Sequence, residues 1–316
     1  MKQKILSITL VMAIALFSNS CKQKNQTAPA SEEVEKSALQ LKVEEFAFVD
    51  LSSPLIANLS ESEKQLIPIF IQIADIMDQL FWKQTFGDKS ILDTIQDPYA
   101  KEFVQINYGP WERLNNDKAF IEGYGEKPLG CNSLYTVLRR NDDNSLRTVW
   151  YKDEYKEALT KVCELLDQAI EIAENQGLKN YLTERKKALQ TDDYFASDMA
   201  WMDMKDCKID FVFGPIENYD DKLNEAKAAY EAFILVKDEV RSQELAKFIQ
   251  MLPMLQKELP CDPKYKTFVP GTSSDLNVYD AVYYAGDCNS GSKTIAINLP
   301  NDDRVQAKKG ARRLQL

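Results

Sequence analysis

The chain has 316 residues, of which 44% are hydrophobic and 28% are charged, and these values are typical of a globular protein with one large or two average domains. Its net charge of −10 comes without a basic stripe, so we expect no nucleic-acid partner, and the short basic group at residues 308–313 is interpreted as solvated surface. The sequence contains no histidine, which excludes Ser-His-Asp sites, Cys-His sites and histidine metal ligands built from this chain.

The amino terminus has the pattern of an export signal. Two lysines precede an apolar run over residues 5–17, which is short for a membrane span. We predict a lipoprotein signal over residues 1–21, with cleavage before a lipid-carrying Cys21; the alternative is an ordinary secretion signal. Residues 22–38 are polar and predict a tether to a folded region at 39–316. The protein would be exported and held at the periplasmic or outer-membrane face by lipid alone.

The six cysteines bear on metal sites and on redox state. They are Cys21, Cys131, Cys163, Cys207, Cys261 and Cys288. Because none stands in CxxC spacing, the sequence excludes a zinc ribbon and a thioredoxin-like motif. Buried free thiols are the favoured interpretation, and one disulfide in an oxidising compartment is the alternative.

Helical patterns dominate the first part of the folded region. Ser60 and Glu63 have capping-box spacing and predict the start of a helix. Its expected apolar face consists of Leu66, Phe70, Ile73, Met77, Leu80 and Phe81. Shorter helices are predicted at 89–96 and 98–106. Residues 106–135, rich in Gly, Pro, Asn and aromatic side chains, predict an ordered loop region.

The strongest helical periodicity follows at residues 153–176, and Gly177 is the expected stop. Further helices are predicted at 179–190, at 192–203 and, with an interruption by proline, at 239–259. Their aliphatic and aromatic positions are interpreted as core.

The hydrophobic period changes to that of strands near residue 208. Residues 208–213 predict a strand that Gly214-Pro215 ends, whereas residues 230–236 fit a helix or a strand by pattern alone. Strands at 278–284 and 293–299 flank a small polar loop. The whole pattern predicts a helix-rich α+β fold.

Glu217 and Tyr219 follow the first strand, two residues apart. On an extended segment their side chains point the same way, so a carboxylate and a phenol could together hold an amine and a carbonyl oxygen. The alternative is a solvated turn with a half-buried Tyr219, and the pattern alone favours that alternative.

Asn298 and Asn301 lie on either side of Pro300. An asparagine amide both donates and accepts hydrogen bonds, which suits it to pairing with a peptide main chain. The alternative, favoured by composition alone, is that the two asparagines shape the turn at Pro300.

Three blocks in order resemble the dipeptidyl peptidase III family: FGPIENYDD at 213–221, YEAF at 230–233 and AINLPNDD at 296–303. INYGPWERL at 106–114 is similar to the variant group of exported bacterial members. The resemblance runs from about residue 40 to the last residue. Members of this family are zinc exopeptidases that release dipeptides from peptide amino termini. They fold into two lobes around a wide cleft, one with a β-barrel or sheet and helices, the other with the zinc.

The resemblance implies roles for the candidate residues. Glu217 would bind the free amine of the substrate, and Tyr219 would polarise the scissile carbonyl as a catalytic residue. Asn298 and Asn301 would pair with the peptide main chain. Residues 230–236 would then be a strand.

The sequence also departs from the family pattern. Ala232, Ala296 and Leu299 are mild replacements, but the family's His-containing zinc motif follows the asparagine block, and this chain has no histidine. We therefore expect the amino-terminal, peptide-binding part of such an enzyme, without a zinc cofactor of its own and inactive alone. Its expected partners are short peptides and a separate fragment that carries the zinc lobe. The alternatives are a non-catalytic peptide-binding lipoprotein and a fragment that is unstable alone.

Overall fold

The computed structural model describes residues 36–87, 89–115, 118–124, 134–143, 146–221, 227–266, 275–291 and 294–316. The predicted signal, Cys21 and most of the predicted tether lie outside these ranges. The helices are α1 (Ala38–Glu44), α2 (Glu61–Thr85), α3 (Ile91–Thr94), α4 (Pro98–Asn107), α5 (Tyr151–Glu154), α6 (Lys156–Ile172), α7 (Gln176–Thr191), α8 (Phe195–Asp203), α9 (Glu239–Ile249), α10 (Leu252–Glu258) and α11 (Asp303–Lys309). The strands are β1 (Trp111–Glu112), β2 (Lys118–Ala119), β3 (Thr136–Arg140), β4 (Leu146–Trp150), β5 (Ile209–Glu217), β6 (Ala229–Asp238), β7 (Asp275–Gly286), β8 (Ala296–Leu299) and β9 (Arg312–Gln315). Within the described ranges, no helix combines the length and apolarity needed to cross a membrane.

Helix α2 begins at the predicted capping box. The Ser60 hydroxyl accepts a hydrogen bond from the backbone N–H of Glu63 at 3.1 Å, and the Glu63 carboxylate accepts one from the N–H of Ser60 at 2.8 Å. Pro68 lies inside the helix without ending it. The predicted apolar face is buried: Leu66, Phe70, Ile73, Met77, Leu80 and Phe81. Local capping and periodicity were sufficient to predict this element.

The helix predicted at 153–176 differs from the structure at its end. It consists of α5 and α6 and stops at Ile172. Asn175 then caps α7, because its side chain accepts the backbone N–H of Leu178 at 3.0 Å. Gly177 therefore lies in the first turn of the next helix, and its prediction as a stop is wrong.

The main sheet has the strand order β5-β6-β7-β9-β8. Strands β5, β6 and β7 pair antiparallel in sequence order, while β9 runs parallel to β7 and antiparallel to β8. The strands predicted at 278–284 and 293–299 are both present, but β9 lies between them. Within the described residues the sheet is open, with β5 and β8 at its edges. The predicted helix-rich α+β class is confirmed, with a sheet and not a closed barrel.

Strand β5 continues past the point where it was predicted to end. Gly214 has φ of 122°, a conformation that glycine adopts without a Cβ penalty, and Pro215 remains in register opposite Tyr230. The pairing register shifts between Pro215 and Glu217. The strand thus continues through Gly214-Pro215, is irregular just after Pro215, and carries Glu217 as its last residue.

Helix α2 covers one face of the sheet and anchors β5. The ring of Phe70 stacks on Phe211 with 4.3 Å between centroids, and Phe211 stacks on Phe213 at 4.2 Å. From α7, the Tyr181 hydroxyl donates a 2.8 Å hydrogen bond to the Phe211 carbonyl. These contacts fix the strand that ends at Glu217. Residues 230–236 lie in strand β6, as the family resemblance implied, and this strand is almost entirely buried.

Candidate functional site

Glu217 and Asn301 meet at the ends of the two edge strands. The Asn301 side-chain amide donates a 2.9 Å hydrogen bond to the Glu217 carboxylate and a longer one, 3.4 Å, to the backbone carbonyl of Ile216. The two residues are 84 positions apart in the chain, and the sheet must curve for β5 and β8 to approach each other here. A neutral amide donates a hydrogen bond to this carboxylate without neutralising its charge.

The environment of Glu217 favours its protonated form more than water does. Burial raises the pKa of its carboxyl above the ordinary 4.5, and the hydrogen bond from Asn301 opposes that shift. No cation of the described residues forms an ion pair with Glu217. The site therefore lacks a positive group, which an ammonium ligand would supply.

Tyr219 lies in the turn that follows Glu217 and is 56% exposed. Burial of the remaining surface and the nearby carboxyl of Glu217 raise the pKa of its hydroxyl, with smaller contributions from Glu231, Asp287 and Asp220. The phenol therefore stays protonated at neutral pH. It is an accessible hydrogen-bond donor close to Glu217.

Asn298 is on β8, where burial alternates: Ile297 and Leu299 are buried, whereas Ala296 and Asn298 are exposed. Arg313 of β9 pairs with Asn298 on one side. The other side of β8 is an edge of the sheet among the described strands, which is where an added peptide strand would pair.

In the turn after Pro300, the helix cap comes from Asp302 and not from either asparagine. The side chain of Asp302 accepts the backbone N–H of Arg304 and caps α11, while the Gln306 amide donates to the Pro300 carbonyl at 2.9 Å. Asn301 directs its amide to Glu217. Glu217, Tyr219 and Asn301 thus come together, and Asn298 lies three residues before Asn301 on the same edge. We call these four residues the edge site.

A second carboxyl, which the sequence analysis missed, lies beneath the edge site. Glu231 is 2% exposed and sits in β6 opposite Gly214 of β5 and Gly286 of β7. Burial, followed by the charges of Asp287 and Glu217, raises its pKa well above the ordinary value. A charged residue in the middle of an apolar strand was the signal in the sequence that could have identified it.

Arg113 connects the edge site to the loop region at 106–135. Its guanidinium pairs with the carboxylate of Asp220, next to Tyr219, and lies 3.4 Å from Asp287. It also packs over the ring of Phe81 at 5.0 Å. The side chain is buried, so this contact holds the turn that carries Tyr219.

Arg312 forms a buried cluster at the far end of β5. Its guanidinium donates to the carboxylate of Asp210 at 2.9 Å and to the carbonyl of Trp201 at 3.1 Å, and it stacks on the Trp201 ring. The Trp201 indole N–H donates to the other oxygen of Asp210 at 2.9 Å, and Arg312 also donates to the Tyr279 hydroxyl at 3.2 Å. The interpretation of the basic group at 308–313 as solvated surface is therefore wrong for Arg312. We call Arg312, Asp210, Trp201 and Tyr279 the Arg312 cluster.

A cavity of about 550 Å³ opens beside the edge site. Its rim includes Ile216, Asn218 and Asn301, and its interior wall comes from α7, α8 and the turn between them. We call it the side cavity. Its volume is in the range of small-molecule pockets.

Comparison with known proteins connects these elements to a family. A family model described as Peptidase family M49 matches residues 136–316, more than half of the chain and the whole of the edge site. The chain belongs to peptidase family M49. Within this family it is similar to the structure of DPP III from Caldithrix abyssi, at 36% sequence identity and a TM-score of 0.79, covering 87% of this chain and 58% of that one.

Two more relatives extend the comparison. The structure of dipeptidyl-peptidase III from Corallococcus sp. strain EGB is 34% identical with a TM-score of 0.75, covering 88% of this chain and 58% of that one. A protein of Arabidopsis thaliana named Nudix hydrolase 3 is 24% identical over 374 residues, covering 92% of this chain and 48% of that protein. The resemblance to the dipeptidyl peptidase III family is confirmed. The M49 chain described here spans about half to three fifths of the length of these relatives.

The described residues offer no group of ligands for the zinc that the family resemblance implies. The sequence has no histidine, and within the described ranges no three Cys, Asp or Glu side chains lie together in a way that could hold a metal ion. We therefore derive no catalytic step through zinc from these residues.

Proposed function

We propose that this M49 chain binds the amino-terminal end of short peptides at the edge site. The observation that carries the proposal is the pair of Glu217 and Asn301, in which a half-buried carboxylate is held by a neutral amide. A peptide ammonium brings the positive charge that this carboxylate lacks. The names of the structural neighbours, dipeptidyl peptidase III, support a peptide as ligand.

Each residue of the edge site has a separate part in the proposal. Glu217 accepts hydrogen bonds from the ammonium group. Asn301, whose amide is already bound to Glu217, offers its side-chain oxygen to a peptide N–H. Asn298, on the exposed edge of β8, pairs with the main chain further along the peptide.

Tyr219 is proposed to donate its hydroxyl proton in a hydrogen bond to a peptide carbonyl oxygen. Its raised pKa keeps the proton on the phenol at neutral pH. In a complete peptidase, this bond would stabilise negative charge that develops on the scissile carbonyl oxygen.

The proposal does not extend to hydrolysis by these 316 residues alone. The zinc motif of the family needs histidine, which this sequence lacks. We expect that the purified chain releases no dipeptide from a tetrapeptide, with or without added zinc, when products are followed by liquid chromatography. Dipeptide release that a chelator abolishes would contradict this part of the proposal.

Peptide binding is tested by calorimetric titration with a tetrapeptide and with the same tetrapeptide acetylated at its amino terminus. If the ammonium binds Glu217, acetylation weakens binding by about tenfold or more, the effect of losing a charge-assisted contact. In the Glu217→Gln variant the two peptides should bind equally. The matched control, Glu258→Gln, changes an exposed glutamate of α10 and should preserve the difference.

Two outcomes contradict the binding proposal. One is equal affinity of the free and acetylated peptides for the unaltered chain. The other is a difference that persists in Glu217→Gln, which would put the ammonium elsewhere. A chain that binds peptides but never takes part in hydrolysis would be a peptide-binding lipoprotein, the second candidate function.

Export and lipidation at Cys21 are proposed from the sequence pattern. In a bacterial host, the full chain should incorporate a labelled fatty acid and enter the membrane fraction. The Cys21→Ser variant should lose the label. A labelled Cys21→Ser variant, or an unlabelled parent chain, would contradict the proposal.

A further inference from the structure

The block INYGPWERL at 106–114 has no part in the proposed function, yet it reaches the edge site. Helix α4 ends within it at Asn107, strand β1 follows, and Arg113 begins a short 3₁₀ turn. The guanidinium of Arg113 forms an ion pair with Asp220, the residue after Tyr219. The block is therefore placed to act on the turn that carries Tyr219.

The main chain of Arg113 is fixed by residues that lie outside the edge site. Its backbone N–H donates to the side-chain oxygen of Asn107 at 3.0 Å. Asn107 is itself buried, and its amide donates to the carbonyl of Phe103 in α4 at 2.9 Å. The carbonyl of Ile106 accepts the backbone N–H of Gly291 at 3.1 Å. Arg113 thus has a firm base that does not depend on the turn.

The guanidinium of Arg113 joins two segments that are far apart in the chain. Its Nη2 pairs with the carboxylate of Asp220, in the turn after β5, and lies 3.4 Å from Oδ1 of Asp287, directly after β7. The three side chains are only 9%, 16% and 8% exposed, in that order, so water screens these contacts less than it would at the surface. The guanidinium also packs over the ring of Phe81 in α2 at 5.0 Å.

Tyr219 lies in the middle of the turn that this pair holds. The backbone N–H of Asp221 donates to the carbonyl of Asn218 at 3.1 Å and closes the turn. The Tyr219 side chain is more than half exposed, so its direction depends on the main chain that carries it. A main chain that is already fixed lowers the entropy that binding would otherwise cost.

The partners of Arg113 also lie close to the Tyr219 hydroxyl. After burial, which is the main cause, the charges of four carboxyls raise the pKa of this hydroxyl, and two of the four are Asp220 and Asp287. The ion pair is therefore next to the phenol and not only next to its main chain.

We propose that Arg113 is a positioning residue of the edge site, which holds the turn through Asp220 and Asp287 so that Tyr219 offers its hydroxyl to a peptide carbonyl. The inference rests on the proposed function, in which Tyr219 donates that hydrogen bond. The alternative is that Arg113 contributes to the stability of the fold alone.

The test is a double-mutant cycle on Arg113 and Tyr219, with tetrapeptide affinity measured by calorimetric titration. We expect Arg113→Gln to weaken binding by about threefold, as Tyr219→Phe does, and the double variant to bind no more weakly than either single variant. If the two residues acted independently, their losses would multiply to about ninefold. A residue that only stabilises the fold would have the same effect whether residue 219 is Tyr or Phe.

Arg113→Gln leaves two largely buried carboxylates without their cation, which destabilises the fold, so a milder variant carries the same test. Asp220→Asn removes the charge that ties the turn and leaves Arg113 beside Asp287. We expect the same loss of affinity and again no further loss when Tyr219→Phe is added. Because one nitrogen of Arg113 contacts both carboxylates, the ammonium of Arg113→Lys can replace it, and we expect an affinity within about twofold of the parent.

The position of the turn is measured directly by nitrogen-15 relaxation. We expect the backbone order parameter of Tyr219 to fall in Asp220→Asn, which shows that the turn has become mobile. The control variant is Arg241→Gln, which breaks an ion pair with Asp238, at the opposite end of β6 from the residue that pairs with Glu217. It should change neither the affinity nor the effect of Tyr219→Phe.

Two results overturn the inference alone. One is a loss of about ninefold in the Arg113→Gln, Tyr219→Phe double variant, and the other is a full effect of Tyr219→Phe in the Asp220→Asn background. If the peptide binds and depends on Glu217, the proposed function stands in both cases. If no peptide binds, or if Tyr219→Phe binds like the parent, the proposed contact of Tyr219 fails and the inference fails with it.

Discussion

Asp210 and Glu217 lie near opposite ends of the same strand, β5, and the fold pairs them in opposite ways. Asp210 is 1% exposed and its carboxylate is neutralised by the guanidinium of Arg312. Glu217 is partly exposed, and among the described residues its carboxylate accepts a side-chain hydrogen bond from the amide of Asn301 and has no cationic partner. The charge of Asp210 is neutralised within the protein, whereas the charge of Glu217 remains for a ligand to pair with. The difference separates a structural cluster from a candidate binding site within one strand.

The largest expected effect comes from removing the cation that pairs with Asp210. Replacing Arg312 by alanine leaves Asp210 buried without its cation, so we expect the free energy of unfolding to fall by about 3–5 kcal/mol. Denaturant unfolding measures the change. Arg313→Ala is the matched control, because its side chain is exposed one residue away, and it should change stability by less than about 0.5 kcal/mol. Similar losses for both variants would contradict a special role for Arg312.

A third carboxyl, Asp192, extends the comparison because, within the described ranges, it accepts a hydrogen bond from one backbone N–H, that of Lys152, and forms no ion pair. Burial raises its pKa from 3.8 to about 6. The folded protein therefore binds this proton more tightly than the unfolded chain, and its stabilising effect, present below pH 4, is lost as the pH rises through about 6. We expect Asp192→Asn to be more stable than the parent by about 1–3 kcal/mol at pH 8 and equal to it near pH 4. A pH-independent difference would contradict this assignment.

Removing the amide that holds Glu217 should affect binding more than stability. In Asn301→Ala the carboxylate loses a 2.9 Å hydrogen bond and the peptide loses an acceptor, so we expect about tenfold weaker binding of a free tetrapeptide. The exposed position of Asn301 predicts a change of less than about 1 kcal/mol in unfolding free energy. Unchanged affinity would mean that Asn301 does not contribute to peptide binding.

The smallest expected effect is that of Tyr219→Phe. The hydroxyl is more than half exposed and competes with water for a carbonyl, so we expect peptide affinity to fall by about threefold or less, with no change in stability. Calorimetric titration with the same tetrapeptide measures it. A larger loss of affinity than in Asn301→Ala would contradict the proposal that Asn301 contributes more to peptide binding than the Tyr219 hydroxyl does.

Local patterns predicted most elements because their causes are local. The capping box at Ser60 and the periodic face of α2 appear in the structure as the sequence indicated. The hairpin of β3 and β4 was missed, since Arg139, Arg140 and Arg147 obscure the alternation that identifies strands. Gly214-Pro215 was assigned as a strand end because a bend and a stop have the same sequence signal.

Long-range pairing was beyond the reach of sequence pattern. Nothing in residues 308–316 indicated that β9 inserts between β7 and β8, or that Arg312 meets Asp210 from 102 positions away. The bond between Asn301 and Glu217 likewise depends on the curvature of the whole sheet. The family resemblance implied that both residues bind a peptide. The structure adds that they are hydrogen-bonded to each other.

The measurement that tests the central claim most directly is the pKa of the Glu217 carboxyl, followed by NMR of carbon-labelled protein. We predict a value above 4.5 in the free chain, a clear fall when a saturating tetrapeptide with a free amine is added, and no fall with the acetylated tetrapeptide. A Glu217 pKa that responds equally to both peptides, or to neither, would contradict the claim that this carboxylate binds the amino terminus of a peptide.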